Sequence, residues 1–178
     1  KGKGSVIGFV KKIKAFVSKN DLQSAIAECD KQRGSVANVI HSVLMRYKAV
    51  ENDQTMNKDQ KLVSIQKEIE EATSMELPSL EQNLVILATI SSVATLMGLL
   101  GTVIGMIRAF AALANAGSPD SVALANGISE ALINTAFGIG TAAIAIVSYN
   151  VFTTQIDKLT HSIDEAGFSI VQTYAANH

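Results

Sequence analysis

The chain of 178 residues carries fifteen Lys and Arg against sixteen Asp and Glu, and 48% of its residues are hydrophobic. This balance lacks the net basic footprint of a nucleic-acid-binding protein, so we expect no nucleic-acid partner. The single cysteine, Cys29, excludes an internal disulfide and is typical of a small buried side chain on a helix. Thirteen of the basic and eleven of the acidic residues precede Leu84. We therefore expect a water-facing first half and a lipid-compatible second half.

Residues 1–19 hold six lysines, no acid and apolar side chains at helical spacing. This pattern predicts a basic amphipathic helix, for which two interpretations stay open. The helix either lies on a membrane surface or forms the cytoplasmic flank after a transmembrane helix. The flank is favoured, because lysines accumulate on the cytoplasmic side.

A helical hairpin is predicted next. Asp21 is the expected N-cap of a helix that ends near Lys31, and Gly34 breaks the periodic pattern. Ser35 begins a second helix with apolar residues three and four apart. No strand alternation appears in this half of the chain.

Residues 51–61 are polar and predict a loop or a frayed helix start. A solvated helix follows over residues 60–81. Its Pro78 lacks a backbone donor and is expected to kink it before the membrane.

Two long uncharged segments follow, residues 84–107 and residues 131–156. At ~1.5 Å rise per residue, a helix over the first segment is about 36 Å long, enough to cross a hydrocarbon core of ~30 Å. The second helix is expected to begin near Val122. Together the segments predict a transmembrane hairpin.

The first span carries small and hydroxyl residues at alternating steps of three and four, which places them on one stripe. Such a stripe lets helices approach closely in lipid. It is either a packing surface alone or one that also lines a polar path. We also assign Gly101 and, on the second span, Gly138 to this packing. The stripe consists of Ala88, Ser91, Thr95, Gly98, Thr102, Gly105 and Ala109.

The connection at residues 115–120, NAGSPD, has turn chemistry and no Lys or Arg, as expected on the outer side of a membrane. Glu130 then falls roughly two turns into the second span. A carboxylate at that depth costs several kcal/mol unless it is protonated, paired or wetted. One interpretation is a structural ion pair with Arg108, near the outer end of the first span. A place in an ion pathway is favoured.

Counted from the connection, Thr102, Glu130 and Thr135 fall at similar heights in an antiparallel hairpin. Asn134 and Thr141 extend the face of Glu130. Thr135 lies about 140° round the helix from Glu130, so spacing does not by itself place all three on one path. Because one carboxylate cannot relay a proton far, we expect several copies around an axis or a second subunit that supplies the titrating group.

Motifs for enzyme chemistry are lacking in the sequence. GLLGTVIG lacks the Lys-Ser or Lys-Thr ending of a P-loop. GIGTAA follows no predicted strand, so it does not match a dinucleotide-binding glycine motif. The sequence shows no catalytic triad pattern and no metal-ligand spacing. We expect neither an enzyme nor a bound metal.

Residues 98–110, GLLGTVIGMIRAF, and residues 127–150, GISEALINTAFGIGTAAIAIVSYN, resemble the paired motifs of the MotA/TolQ/ExbB proton-channel family, with the closest likeness to its ExbB/TolQ branch. Residues 21–40, DLQSAIAECDKQRGSVANVI, resemble the cytoplasmic segment that follows the family's first transmembrane helix. The family often has proline where Thr95 stands and sometimes where Asn126 stands, so we expect straighter helices here.

The resemblance implies an all-α inner-membrane protein with a large cytoplasmic portion, whose first transmembrane helix is absent from this sequence. It implies a pentamer in membrane lipid around an ExbD- or TolR-like single-span partner, with a TonB- or TolA-like protein as a further partner. Protons are the coupling ion and no cofactor is implied. An aspartate of the partner carries the proton past Thr102, Glu130 and Thr135, and we add Asn134 to this pore-lining set.

The implied function is that of a proton-channel or stator subunit in a motor, driven by the proton motive force, that energises outer-membrane transport. TolQ-like envelope maintenance, MotA-like motility and a non-conducting membrane scaffold are the alternatives. The predicted layout has five parts: a cytoplasmic region at 1–81, a transmembrane helix at 82–114, a periplasmic turn at 115–120, a transmembrane helix at 121–156 and a cytoplasmic helix at 157–178.

Overall fold

A computed structural model describes residues 5–115 and 121–177. Within these ranges the chain is all-α without strands, which confirms the predicted fold class. Two compact units form, one from Lys1–Glu81 with Thr154–His178 and one from Gln82–Thr153. The helices are α1 (Val6–Ser18), α2 (Leu22–Gln32), α3 (Ser35–Glu51), α4 (Lys58–Glu81), α5 (Leu84–Asn115) and α6 (Ser121–Asn177).

The start of α2 and the break before α3 follow local rules. The Asp21 carboxylate accepts a hydrogen bond from the Ser24 amide at 3.1 Å, which confirms the predicted N-cap. Hydrogen bonding from Ser24 also lowers the pKa of Asp21, because it favours the charged carboxylate. Gly34 has a φ of 96°, in the left-handed region that glycine tolerates, and α3 begins at Ser35 as predicted.

The polar loop is confirmed for residues 52–57, but the helix that follows is capped rather than frayed. The Asn57 side chain accepts from the Gln60 amide at 2.9 Å, and the Gln60 side chain accepts from the Asn57 amide at 3.0 Å. This reciprocal pair has the geometry of a capping box and satisfies two free amides at the start of α4.

The apolar face of α1 packs into the core of the first unit. Its side chains Phe9, Val10, Ile13 and Val17 are all buried. Since protein already covers this face, the interpretation that α1 lies with its apolar face on a membrane surface is wrong. Placement on the cytoplasmic side of the membrane stays a prediction.

The core of the first unit joins side chains of α1 to α4 with the end of α6. Tyr47 of α3 and Tyr174 of α6 pack edge to face, with ring centroids 4.8 Å apart. The Gly167 backbone of α6 lies so close to α4 that an added Cβ would be 2.9 Å from the Ile69 Cδ1. Cys29 is buried in this core, as predicted, and burial raises the pKa of its thiol to about 12.

Pro78 lies inside α4, which ends three residues later at Glu81. Gln82 and Asn83 form a turn, and α5 begins at Leu84. The predicted kink at Pro78 stays a prediction.

The two long apolar helices of the chain are exposed to an unusual degree for their composition. In the segment Lys58–Ala114, which holds α4 and nearly all of α5, an apolar stretch of eighteen residues is 6% buried, and in Ser121–Asn177, which is α6, such a stretch is 17% buried. A core helix of a water-soluble protein would have most of such a stretch buried. Both helices are long and apolar enough to cross a membrane. Lipid chains would then cover the apolar side chains that are exposed here.

The structure changes how the second span ends. Helix α6 is continuous to Asn177, so residues 121–156 and the separately predicted helix from residue 157 belong to one helix. Residues 116–120 of the predicted turn lie outside the described residues.

Candidate functional site

Small residues bring α5 and α6 into close contact. A Cβ added to Gly105 would lie 2.8 Å from the Ala131 Cβ, and a Cβ added to Gly98 would lie 3.0 Å from the Gly138 Cα. Such distances leave no room for larger side chains. Without a hydrophobic driving force in lipid, this close backbone approach supplies the van der Waals contact that holds helices together.

The order of these contacts shows that the two helices are antiparallel. Gly98 lies opposite Gly138, Gly105 opposite Ala131, and Ala109 opposite Gly127. The structure thus places all four glycines that the sequence assigned to packing on this contact surface, since Gly101 also meets the Asn134 side chain. Thr95 and Ala88 of the predicted stripe are exposed instead.

Two threonine hydroxyls meet at the middle of this contact. The Thr102 and Thr135 side chains are hydrogen-bonded to each other across the two helices. The Thr102 Oγ1 also donates to the Gly98 carbonyl at 3.1 Å and lies 3.4 Å from the Ala131 carbonyl. Both hydroxyls are partly buried.

These hydroxyls share more acceptors than they have protons to donate. The Thr135 Oγ1 lies 3.5 Å from the same Gly98 carbonyl that Thr102 uses. Each hydroxyl holds one proton and two acceptor lone pairs, so rotation about the C–O bond can change the donor without breaking the helices apart. Glycine at position 98 lets α6 approach this closely, because an added Cβ would lie 3.1 Å from the Asn134 carbonyl oxygen.

A charged pair lies nearer the ends of α5 and α6 that flank residues 116–120. The Arg108 Nη1 donates to the Glu130 Oε1 at 3.1 Å. The side chains of Arg108 and Glu130 remain 66% and 52% exposed. The structure therefore brings together the two residues that the sequence suggested as ion-pair partners.

An open groove of about 390 Å³ runs along the contact between α5 and α6. Asn134 and Thr141 are its polar members, one and three turns beyond Glu130 on α6. Ile104 lies one turn before Arg108 on α5, so the ion pair stands at one end of the groove. The remaining lining residues are Ala94, Met97, Gly98, Leu100, Gly101, Phe137 and Gly138.

The polar residues predicted for one path fall into two groups. Thr102 and Thr135 form one group, whereas Glu130 is paired with Arg108 and Asn134, one turn further on, lines the groove. Among the described residues, no hydrogen bond joins the Glu130 carboxylate to either threonine hydroxyl. The 140° turn between Glu130 and Thr135 on α6 accounts for this separation.

On α6, Gly138 could be assigned to the close contact from the sequence, but Gly127 and Ala131 were missed. Gly127 and Ala131 contact Ala109 and Gly105, and they stand four residues apart on one face of α6. That spacing, continued by Thr135, is the small-residue signal that could have found them. Among the residues 5–115 and 121–177, no group of three His, Cys, Asp or Glu side chains could hold a metal ion.

Comparison with known proteins gives a family match over residues 35–165, to the MotA/TolQ/ExbB proton channel family. The chain is 40% identical over 88 residues to the Tol-Pal system protein TolQ of Haemophilus influenzae, covering 49% of this chain and 39% of that protein. It is 37% identical over 86 residues to the biopolymer transport protein ExbB of Pseudomonas putida, covering 48% of this chain and 26% of that protein.

A third relative is the putative biopolymer transport protein ExbB-like 3 of Synechocystis, 37% identical over 86 residues, with 47% of this chain and 41% of that protein covered. The chain thus spans about two fifths or less of the length of these curated relatives. The family match covers most of the chain, including α5, the hydroxyl pair, the ion pair and the first part of α6. The chain belongs to the MotA/TolQ/ExbB proton channel family.

Proposed function

We propose that this chain is a proton-channel or stator subunit of an inner-membrane motor that uses the proton motive force to energise outer-membrane transport. The observation that carries the proposal is the hydrogen-bonded Thr102–Thr135 pair between two apolar, exposed helices. Hydroxyl groups both donate and accept hydrogen bonds, so this pair is suited to stabilise a proton carrier that passes between the two helices.

The driving force for such a subunit is adequate. Moving one elementary charge through a membrane potential of 100 mV releases ~2.3 kcal/mol, and a pH gradient adds to this. In the proposed mechanism an aspartate of an ExbD-like single-span partner takes up a proton and passes the threonine pair. Neutralisation of that carboxylate releases it from one subunit, and several subunits around it, five in the proposed assembly, receive it in turn.

The remaining features of the proposal follow the family. The first unit lies in the cytoplasm, α5 and α6 cross the inner membrane, and a TonB- or TolA-like protein receives the output. No bound cofactor and no catalysis on a small molecule belong to the proposed role. A TolQ-like role in envelope maintenance is the closest alternative, because relatives named TolQ and ExbB match the chain at similar identity. A MotA-like role in motility is more distant.

Complementation in cells tests the proposal. Thr102→Ala and Glu130→Ala should abolish the energised output of cells that lack the native protein, while the membrane complex still assembles. Thr89→Ala is a matched control, because Thr89 lies on the same helix and its hydroxyl donates to the Val85 carbonyl of its own helix at 2.8 Å. Energised uptake, detergent sensitivity and swimming distinguish the three outputs. Full output from both variants would reject the proposed site.

A non-conducting scaffold is the second candidate, and the Arg108–Glu130 ion pair favours it, since a paired carboxylate needs no role in transport. Exchange of the two charges, with Arg108→Glu and Glu130→Arg in one protein, separates the candidates. Recovery of output by the exchange would favour the scaffold. The proposed proton route predicts no recovery, because it requires a carboxylate at position 130.

A further inference from the structure

The Arg108–Glu130 ion pair has a position that the proposed proton route does not explain. The route needs a Glu130 carboxylate that is free to exchange a proton. In the structure, however, its Oε1 accepts a hydrogen bond from the Arg108 Nη1 at 3.1 Å. Helix geometry places Glu130 about 7.5 Å along α6 from Thr135 and on the other side of the α5–α6 contact. Helix geometry thus sets the acid apart from the hydroxyl pair, and the ion pair occupies it with a cation there.

The surroundings leave Glu130 few other partners. In residues 82–153 the charged side chains are Arg108 on α5, Glu130 on α6 and Asp120, which lies outside the described residues. The polar neighbours of Glu130 on its own helix face are Asn126 and Asn134, one turn to either side, and the Asn134 side chain packs at Gly101. The two charged side chains of the described apolar hairpin thus form an ion pair with each other. Arg108 is therefore the group that positions the Glu130 carboxylate.

We propose that the Arg108–Glu130 ion pair is a latch at the end of the groove, and that proton passage requires the pair to open. Arg108 is then a positioning residue that acts through Glu130. While the latch is closed, Glu130 is fixed on the groove side and the subunit conducts poorly. This inference rests on the proposed proton route.

Proton permeability of liposomes that hold the full-length protein with its single-span partner, under an imposed potential, tests the latch. Arg108→Gln should raise the permeability about fivefold, a change of ~1 kcal/mol at about 1.4 kcal/mol per tenfold change. Arg108→Lys keeps a cation within reach and should retain the low permeability. The double variant with Arg108→Gln and Glu130→Gln should have the low permeability of the wild-type protein, because it has no carboxylate at position 130. Lys158→Gln, the same charge change outside the hairpin, is the control.

A chemical measurement makes the test independent of proton flux. A lipophilic carbodiimide adds to un-ionised carboxyl groups in apolar surroundings, and mass spectrometry locates the modified residue. Glu130 should be modified about fivefold faster in Arg108→Gln than in the wild-type protein, and at the wild-type rate in Arg108→Lys.

The outcomes separate the two proposals. Equal modification rates in the wild-type protein and Arg108→Gln would overturn the latch, and so would faster modification without greater permeability. Absence of proton flux from the wild-type protein with its single-span partner, under an imposed potential, would overturn the proposed function instead. All variants must elute as the same complex in detergent, so that loss of the fold is not mistaken for either result.

Discussion

At the scale of single residues, the hairpin contains two polar pairs with different chemistry. Thr102 and Thr135 are neutral groups with several acceptors in reach, so their hydrogen bonds can exchange at small cost. Arg108 and Glu130 form a charged pair whose opening leaves two charges to be solvated. The neutral pair suits repeated passage of a carrier, and the charged pair suits control of access.

Cys29 offers a test of the first unit at the same scale. Because burial raises the pKa of its thiol to about 12, almost no thiolate is present at pH 8. Iodoacetamide should therefore leave Cys29 unmodified in the folded protein at pH 8 and modify it fully in denaturant, as measured by intact mass. Rapid modification without denaturant would contradict the described core.

The candidate site residues could be named from the sequence, but not the way in which they group. Thr102, Glu130 and Thr135 stand at related heights, which chain counting predicts from the rise of a helix. The angle of about 140° between Glu130 and Thr135 follows from the sequence, but which of them faces α5 depends on the contacts of Gly127, Ala131 and Gly138, and these place Thr135 against Thr102. Pairing of helix faces is a tertiary property that one sequence does not contain.

At the scale of helices, glycine has two different roles on α6. Gly138 packs against the backbone of α5, and an added Cβ would lie 2.7 Å from the Ala94 carbonyl oxygen and the Gly98 Cα. An added Cβ on Gly140 meets nothing within 4 Å. The two positions are two residues apart on the same helix, which makes them a matched pair.

Substitution by alanine should therefore destabilise the hairpin at Gly138 but not at Gly140. Gly138→Ala should destabilise the hairpin by roughly 1–3 kcal/mol, because backbone atoms cannot give way as a flexible side chain would. Gly140→Ala should be neutral or stabilise it by up to ~1 kcal/mol through helix propensity. Unfolding of the purified protein in mixed detergent measures both. The account of the α5–α6 contact fails if Gly138→Ala is as stable as the wild-type protein.

Most helices of the chain could be predicted, because their signals are local. The Asp21 cap, the Gly34 break and the Ser35 start need only neighbouring residues. The cap formed by Asn57 and Gln60 is equally local, but it was hidden in a polar stretch typical of a loop. The burial of the α1 face was not predictable, since its pattern suits lipid and protein equally well.

At the scale of the whole molecule, the two units differ in the solvent that their surfaces suit. The first unit buries its apolar side chains in a core of its own, as a water-facing domain does. The second unit leaves large apolar side chains of α5 and α6 exposed, as a lipid-embedded or subunit-covered hairpin does. Among its described residues the Thr102–Thr135 and Arg108–Glu130 pairs join the two helices, whereas other hydroxyls, such as that of Thr89, donate within their own helix.

Proton flux through the reconstituted complex tests the central claim most directly. Liposomes that hold the full-length protein with its single-span partner should take up protons under an imposed potential. Thr102→Val and Thr135→Val keep the side-chain shape without the hydroxyl and should each lower the flux at least about tenfold, a barrier change of ~1.4 kcal/mol. Thr89→Val should conduct as the wild-type protein does. Wild-type flux from both hydroxyl-pair variants, in complexes of unchanged size, would contradict the account.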